Sequence, residues 1–139
     1  MVSLRIVTSS PEETEKVGIK LGKKLDKEDI VLLIGELGSG KTTFVKGIAK
    51  AIGTKEDVSS PSFVIMNIYN GKKKIFHLDL YRINSINEIE FVYDFIREGI
   101  IIVEWGEKIK DEIDGKIIEV HFKILSENER EIIINAPWD

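Results

Sequence analysis

One segment limits the possible folds of this chain more than any other, the glycine-rich run from Gly35 to Thr42 with the sequence GELGSGKT. It matches the pattern G-x-x-x-x-G-K-[ST] of the P-loop, or Walker A motif. The apolar run Ile30 to Ile34 precedes it as a buried strand would, and an apolar helical stripe from Phe44 to Ile52 follows and ends at Gly53. A strand, a glycine loop and a helix in this order predict an α/β fold that binds phosphate groups.

The residue types of the loop explain this chemistry. Glycines let the backbone curl so that successive N–H groups point inward, and the helix that follows adds its positive end. We expect Lys41 to reach the β- and γ-phosphates of ATP, and the Thr42 hydroxyl to ligate the Mg²⁺ ion that bridges them. The predicted nucleotide-binding residues of this segment are Gly38, Ser39, Gly40, Lys41, Thr42 and Thr43, the last of which supports the start of the helix.

Length and composition predict a single domain over residues 1–139. With 42% hydrophobic and 32% charged residues, the chain is typical of a folded globular protein. Zero cysteines exclude disulfides and fit a reducing compartment, and no apolar run has the length of a membrane span, so we expect a cytoplasmic location. A net charge of -4 disfavours direct binding of nucleic acid by the chain alone.

The rest of the sequence predicts further strands and helices around this centre. Ser10-Pro11-Glu12-Glu13 supplies an N-cap, an N1 proline and a capping-box glutamate, so a helix should begin at Pro11. Phe63 to Tyr69 and Lys74 to Leu80 flank Asn70-Gly71 and predict an antiparallel hairpin. The other predicted elements are strands at Leu4 to Thr8, Ile100 to Val103, Lys116 to Ile124 and Glu131 to Asn135, and a helix from Ser85 to about Arg97. Together they predict an α/β, P-loop NTPase-like three-layer fold with a mixed, mainly parallel central sheet.

Two carboxylates stand where neighbouring strands should end. Asp79 lies at the end of Lys74 to Leu80, and Glu104 directly follows Ile100 to Val103. In an α/β sheet such positions meet a bound nucleotide and its metal. Lys41, Asp79 and Glu104 are therefore the predicted catalytic residues, and Thr42, Asp79 and Glu104 the predicted magnesium ligands. Either acid could hold the metal while the other orients the attacking water. His77 and His121 lack a partner at metal-ligand spacing, so we expect both to be structural.

Four segments in a fixed order carry a resemblance to a known family. They are GELGSGKTTFVKGIAKAIG at 35–53, VSSPSF at 58–63, HLDLYRI at 77–83 and VEWGEKI at 103–109. In them, and over nearly its whole length, the chain resembles the TsaE family, bacterial ATPases of tRNA threonylcarbamoyladenosine biosynthesis.

The resemblance implies roles for particular residues. It makes Asp79 necessary for activity, Glu104 a magnesium ligand and Trp105 a neighbour of the adenine, and it brings Ser10 and Arg130 close to the nucleotide. It also implies a switch-like loop near the γ-phosphate, formed by Ser60, Pro61, Ser62 and Phe63. The family usually has threonine in place of Ser62, so the hydroxyl is kept but its restricted rotamer is not. The stretch from Glu90 to Phe95 is shorter than usual in the family, which leaves open any partner contact made there.

The predicted function is that of a magnesium-dependent ATP-binding protein and weak ATPase required for threonylcarbamoyladenosine modification of tRNA. The resemblance implies that it acts on the TsaD–TsaB complex and meets tRNA only through that complex. The alternative is a small-molecule P-loop kinase, although the four arginines are too scattered for the lid that such kinases close over phosphates. A Ras-like GTPase would need Asn-Lys-x-Asp and Asp-x-x-Gly motifs, which do not occur. A nucleotide-binding module that does not hydrolyse ATP is also open, since no arginine finger is evident.

Overall fold

The computed structural model describes residues 2–59, 66–81 and 92–138. The elements within these ranges, in chain order, are β1 (Val2–Thr8), α1 (Pro11–Gly22), β2 (Asp29–Ile34), α2 (Lys41–Ile52), β3 (Met66–Asn70), β4 (Lys74–Asp79), α3 (Val92–Phe95), β5 (Gly99–Glu104), a short 3-10 helix (Gly106–Lys108), β6 (Lys116–Ile124) and β7 (Arg130–Ala136). The strands form one sheet in the order β1-β7-β6-β2-β5-β4-β3.

The middle of the sheet is parallel and its margins are antiparallel. Strand β2 runs parallel to both β5 and β6, and β4 runs parallel to β5. Strand β3 pairs antiparallel with β4, as the hairpin prediction required, and β7 pairs antiparallel with β6 and β1. The predicted fold class is therefore confirmed. The carboxyl ends of β2, β4 and β5 meet at one edge of the sheet, which is where parallel sheets hold their ligands.

Alternation along the buried central strands creates the three layers. In β2, Val31 and Leu33 belong to the core cluster that includes α1 and α2, whereas Ile30 and Leu32 belong to a cluster on the opposite face. All four side chains are fully buried, and each contributes about 1.5–3 kcal/mol to stability. A continuous aliphatic run is the expected sequence of a strand that is covered on both faces.

The two long helices begin and end where the sequence predicts. Helix α1 starts at Pro11, with the Ser10 hydroxyl accepting a hydrogen bond from the backbone N–H of Glu13. Helix α2 ends before Gly53, whose φ of 73° is left-handed. The two helices pack so closely that a Cβ atom on Gly47 would overlap the carbonyl oxygen of Glu15. This contact lies near the middle of both helices.

The hairpin turn differs from its prediction. Asn70 pairs with Lys74, so β3 extends one residue further than predicted and the connection is residues 71–73 rather than 70–73. The cause lies in the segment that follows α2, because the Glu56 carboxylate accepts hydrogen bonds from both the backbone N–H and the side-chain amide of Asn70. That tertiary contact holds Asn70 in strand β3.

Some predictions fall outside the described residues. The switch-like residues 60–63 lie there, as do the beginning of the predicted strand at 63–65 and the predicted helix start at Ser85. Of that helix, α3 covers Val92 to Phe95. In the described part of the chain, no helix has both the length and the apolar character needed to cross a membrane.

Candidate nucleotide-binding site

The glycine loop joins β2 to α2 at the carboxyl edge of the parallel sheet. Gly38 and Gly40 have φ angles of 76° and 104°, left-handed conformations that glycine adopts without steric cost. Gly40 is the N-cap of α2 and has no side chain with which to cap the first N–H groups of the helix. The Ser39 hydroxyl is buried and finds no hydrogen-bond partner among the described residues. The loop thus combines an unpartnered hydroxyl with the N-terminal end of a helix, a combination that suits an anion.

Lys41 is a buried cation at the centre of this loop. Only 5% of the residue is exposed, and its Nζ donates a hydrogen bond of 2.6 Å to the carbonyl oxygen of Gly35. Among the described residues, none forms an ion pair with it. Burial lowers the pKa of Lys41, and the negative charges of Glu104, Glu107 and Asp79 act in the opposite direction. A phosphate at this position would supply the anionic partner that the ammonium lacks.

The two predicted carboxylates are neighbours across the sheet. Asp79 on β4 is paired in register with Glu104 on β5, and both end their strands. Alternation places them on the same face as Ile75 and Ile102, which belong to the core cluster that includes α2. The Asp79 carboxylate accepts a hydrogen bond of 2.9 Å from the backbone N–H of Tyr81. The sheet therefore brings two acids together on the side of Lys41.

A buried histidine accompanies these acids. His77 Nε2 lies 2.6 Å from a carboxylate oxygen of Glu104, and His77 Nδ1 lies 2.8 Å from the hydroxyl of Tyr69. The sequence analysis found no partner for His77 at metal-ligand spacing, and the structure adds two hydrogen-bond partners on neighbouring strands, which spacing along the sequence does not reveal. The available signal is its position two residues before Asp79, on the same face of β4.

Trp105 lies beside the lysine of the loop. The Lys41 ammonium is 3.9 Å from the centroid of the indole ring, and the Tyr81 ring lies 5.2 Å from the same indole. The backbone of Trp105 is left-handed, with φ of 62° and ψ of 41°, which costs a residue other than glycine about 1–3 kcal/mol. Strained backbone conformations of this kind cluster at ligand-binding and active sites, so Trp105 is a candidate site residue.

A second group of predicted residues lines a cleft along α1. This α1 cleft is lined by Ser10, Pro11, Thr14, Gly38, Gly40, Thr43, Glu127, Asn128 and Arg130. Arg130 Nη2 donates a hydrogen bond of 3.2 Å to the carbonyl oxygen of Gly38, which ties the turn between β6 and β7 to the loop. Pro11, Thr14, Glu127 and Asn128 were not predicted, because only the packing of α1 and of this turn brings them to the loop.

The structure thus divides the predicted residues between two places. Lys41, Glu104, Asp79 and Trp105 form one group, and Ser10, Thr43 and Arg130 belong to the α1 cleft with the loop glycines. Trp105 lines a cleft that also includes Gly35 and Leu37 and is distinct from the α1 cleft. The indole and Arg130 therefore approach the loop from separate clefts.

The oxygen-rich residues around Lys41 suit magnesium. Within 2–59, 66–81 and 92–138, the structure contains no ready-made cluster of three or more His, Asp or Glu ligands. Magnesium is commonly held by one or two carboxylates together with the phosphates of its substrate and several waters. Asp79, Glu104 and the hydroxyl residue Thr42 on the first turn of α2 provide such a donor set.

Comparison with known proteins decides the family. The family model described as "Threonylcarbamoyl adenosine biosynthesis protein TsaE" matches residues 8–132. The chain belongs to the TsaE family. The TsaE match includes the loop, both carboxylates, Trp105, Ser10 and Arg130, so every group discussed above lies within the family region.

Individual TsaE relatives resemble the chain over most of its length. The tRNA threonylcarbamoyladenosine biosynthesis protein TsaE of Aquifex aeolicus is 39% identical over 132 residues, which cover 93% of each chain. The corresponding protein of Treponema pallidum is 32% identical, with 94% of this chain and 99% of the relative covered. The crystal structure of YdiB from Bacillus subtilis superposes with a TM-score of 0.81 at 32% identity, covering 97% of this chain and 86% of that one.

Proposed function

We propose that this chain binds ATP with magnesium at the loop from Gly35 to Thr42 and hydrolyses it slowly, in the service of threonylcarbamoyladenosine modification of tRNA. The observation that carries the proposal is the buried Lys41 ammonium, held by a carbonyl oxygen and an indole face beside two carboxylates. A cation in this state gains the most from a phosphate partner, because its own surroundings offer no paired anion among the described residues. Membership of the TsaE family supports a role in threonylcarbamoyladenosine modification of tRNA.

The neighbours of the loop indicate which end of it would meet the terminal phosphates and which the nucleoside. In a P-loop the lysine reaches the β- and γ-phosphates, whereas the backbone N–H groups hold the α- and β-phosphates. Trp105 lies beside Lys41 and therefore marks the terminal phosphates, whereas Thr43 lines the α1 cleft. We accordingly place the nucleoside in the α1 cleft with Ser10 and Arg130, and the indole at the phosphate end rather than against the adenine.

Thr42, Asp79 and Glu104 are the residues that would hold magnesium. The ion supplies neutralisation of the charge that develops on the transferred phosphoryl group. Lys41 would contribute a fixed positive charge at the phosphates, and one of the two carboxylates would also orient the attacking water or accept a proton from it. The edge of the sheet holds all four residues on elements of regular structure, where their positions are well defined.

Slow turnover by the isolated chain follows from where its described arginines lie. Arg130 belongs to the α1 cleft, away from the Lys41 and Trp105 end at which the terminal phosphate would lie. Arg5 pairs with Glu131, and Arg97 is exposed. A transition-state cation would then come from a partner, as an arginine finger supplied in trans does. We propose the TsaD–TsaB complex as that partner and as the route to tRNA.

The same distribution gives no support to a small-molecule kinase. Such an enzyme closes several arginines over the phosphates, whereas Arg130 is the one described arginine that reaches the loop. A cytoplasmic location stays a prediction.

The test measures phosphate release from ATP by the chain alone, by TsaD with TsaB, and by all three together. We expect slow release by the chain, a large increase with the partners, and loss of both in Lys41→Ala. Fast release that the partners leave unchanged would contradict the proposal. Transfer of phosphate to a small molecule instead of water would favour the kinase.

A further inference from the structure

His77 makes polar contacts through both nitrogens of a completely buried ring. Its relative exposure is 0%, and that of Glu104 is 4%. Nε2 lies 2.6 Å from Glu104, and Nδ1 lies 2.8 Å from the Tyr69 hydroxyl, which in turn lies 3.0 Å from the carbonyl oxygen of Ser59 and 3.3 Å from its N–H. A continuous chain of hydrogen bonds thus runs from the backbone after α2, through β3 and β4, to the end of β5.

A neutral histidine with its proton on Nε2 satisfies every group in this chain. The Ser59 N–H then donates to the Tyr69 oxygen, the Tyr69 O–H donates to His77 Nδ1, and His77 Nε2–H donates to the Glu104 carboxylate. The Ser59 carbonyl accepts a separate bond from the side-chain amide of Asn67 at 3.1 Å. All donors in this arrangement point toward Glu104, the acceptor at the end of the chain.

The hydrogen bond from His77 fixes one oxygen of the Glu104 carboxylate and does not exhaust its capacity to accept further bonds. An ionised carboxylate offers about four lone-pair positions on two oxygens, so it can accept from His77 and still ligate a cation. Residues that hydrogen-bond to a metal ligand orient that ligand and raise its affinity for the metal. The His77–Glu104 pair lies beside Asp79 at the carboxyl edge of the sheet, where the proposed magnesium ligands meet.

We propose that His77 is a positioning residue that holds the Glu104 carboxylate in the orientation needed for magnesium, with Tyr69 fixing the imidazole ring from the backbone of Ser59. This inference rests on the proposed function, because it requires Glu104 to act on a magnesium nucleotide. It adds two residues, neither of which touches the nucleotide, to the machinery that controls the metal.

Two substitutions of His77 distinguish loss of the hydrogen bond to Glu104 from a change in side-chain volume. In His77→Gln the amide nitrogen can take the place of Nε2 and donate to Glu104, whereas in His77→Asn the shorter amide can replace only Nδ1. The quantity measured is the ratio of ATP affinities in excess Mg²⁺ and in EDTA, by titration calorimetry. We expect His77→Asn to lower this magnesium enhancement about 10-fold to 100-fold, the range found when a residue behind a metal ligand is lost. His77→Gln should restore most of it.

The controls keep the outcomes distinct. Affinity for ATP in EDTA should be unchanged in both variants, because the glycine loop is intact. Arg5→Gln disturbs a different pair with a glutamate, Glu131 at 2.6 Å, and should leave the enhancement unchanged. Tyr69→Phe keeps the buried ring and loses only the hydroxyl, so it should lower the enhancement in the same direction, and it carries the test if the His77 variants do not fold.

The results separate this inference from the function on which it rests. A wild-type chain that fails to bind ATP, or that binds it equally well without Mg²⁺, would contradict the proposed function. A wild-type chain with magnesium enhancement that persists in His77→Asn, or in Tyr69→Phe where that variant carries the test, would overturn this inference alone.

Discussion

The ammonium nitrogen of Lys41 lies 3.9 Å from the centroid of the Trp105 ring, within the range of a cation–π contact. The indole therefore senses the charge of the residue that should meet the terminal phosphates. Trp138 is the other tryptophan, and Trp138→Phe leaves Trp105 as the single fluorophore. In that variant, ADP and inorganic pyrophosphate should change the emission, since both neutralise Lys41, whereas adenosine should not. A response to adenosine alone would instead place the base against Trp105.

Glu104→Gln tests the metal site directly. The amide keeps the size of the side chain but removes the charge that magnesium requires. We expect turnover at limiting Mg²⁺ to fall about 10-fold to 100-fold, whereas the affinity for ATP in EDTA stays close to that of the wild type. Glu98→Gln, an exposed acid at the opposite end of β5, is the matched control. If Glu104→Gln turned over normally at limiting Mg²⁺, the ligand role of Glu104 would have to be abandoned.

Arg130→Ala tests the placement of the nucleoside. Its guanidinium lines the α1 cleft and donates to Gly38, so its loss should weaken ATP binding about 10-fold, or 1.4 kcal/mol, the loss of one hydrogen bond from a charged group. Pyrophosphate binding, measured by competition, should change less because it does not reach that cleft. Arg5→Ala removes an exposed arginine paired with Glu131 and should affect neither ligand. Equal losses for ATP and pyrophosphate would argue against a nucleoside in the α1 cleft.

Nucleotide binding should take up a proton at alkaline pH. Burial lowers the pKa of Lys41 in the free protein, and a bound phosphate raises it again because it favours the charged ammonium. Between the two pKa values the complex holds more protons than the free chain, so affinity falls as pH rises through this window. Calorimetry in two buffers with different ionisation enthalpies measures the uptake. Proton release on binding at alkaline pH would contradict the assignment of Lys41 to the phosphates.

Local patterns predicted the centre of the fold and of the site. The loop at Gly35 to Thr42 and the buried run before it are contiguous in sequence, and both match the structure. Asp79 and Glu104 could both be placed at the carboxyl edge of the sheet in advance, since each stands near the end of an apolar strand and parallel strands end at a common edge. These features depend on periodicity and on the residue type at one position.

Contacts that depend on strand register and on packing could not be predicted in this way. The bond between His77 and Glu104 requires β4 and β5 to be neighbours in one register. The α1 cleft requires α1 to pack on α2 and the turn before β7 to reach the loop through Arg130. The cation–π contact of Trp105 depends on a left-handed backbone conformation that the sequence does not predict. In each case distant segments determine the geometry.

The most direct test of the central claim is titration of the wild-type chain and two lysine variants with ATP in the presence of Mg²⁺. Lys41→Ala removes the buried ammonium of the loop, whereas Lys46→Ala removes an exposed lysine of the same helix. Because the ammonium should bond to two phosphates, we expect Lys41→Ala to weaken binding at least about 100-fold, while Lys46→Ala and the wild type bind one ATP per chain with equal affinity. ATP binding by Lys41→Ala with the affinity of the wild type would contradict the account.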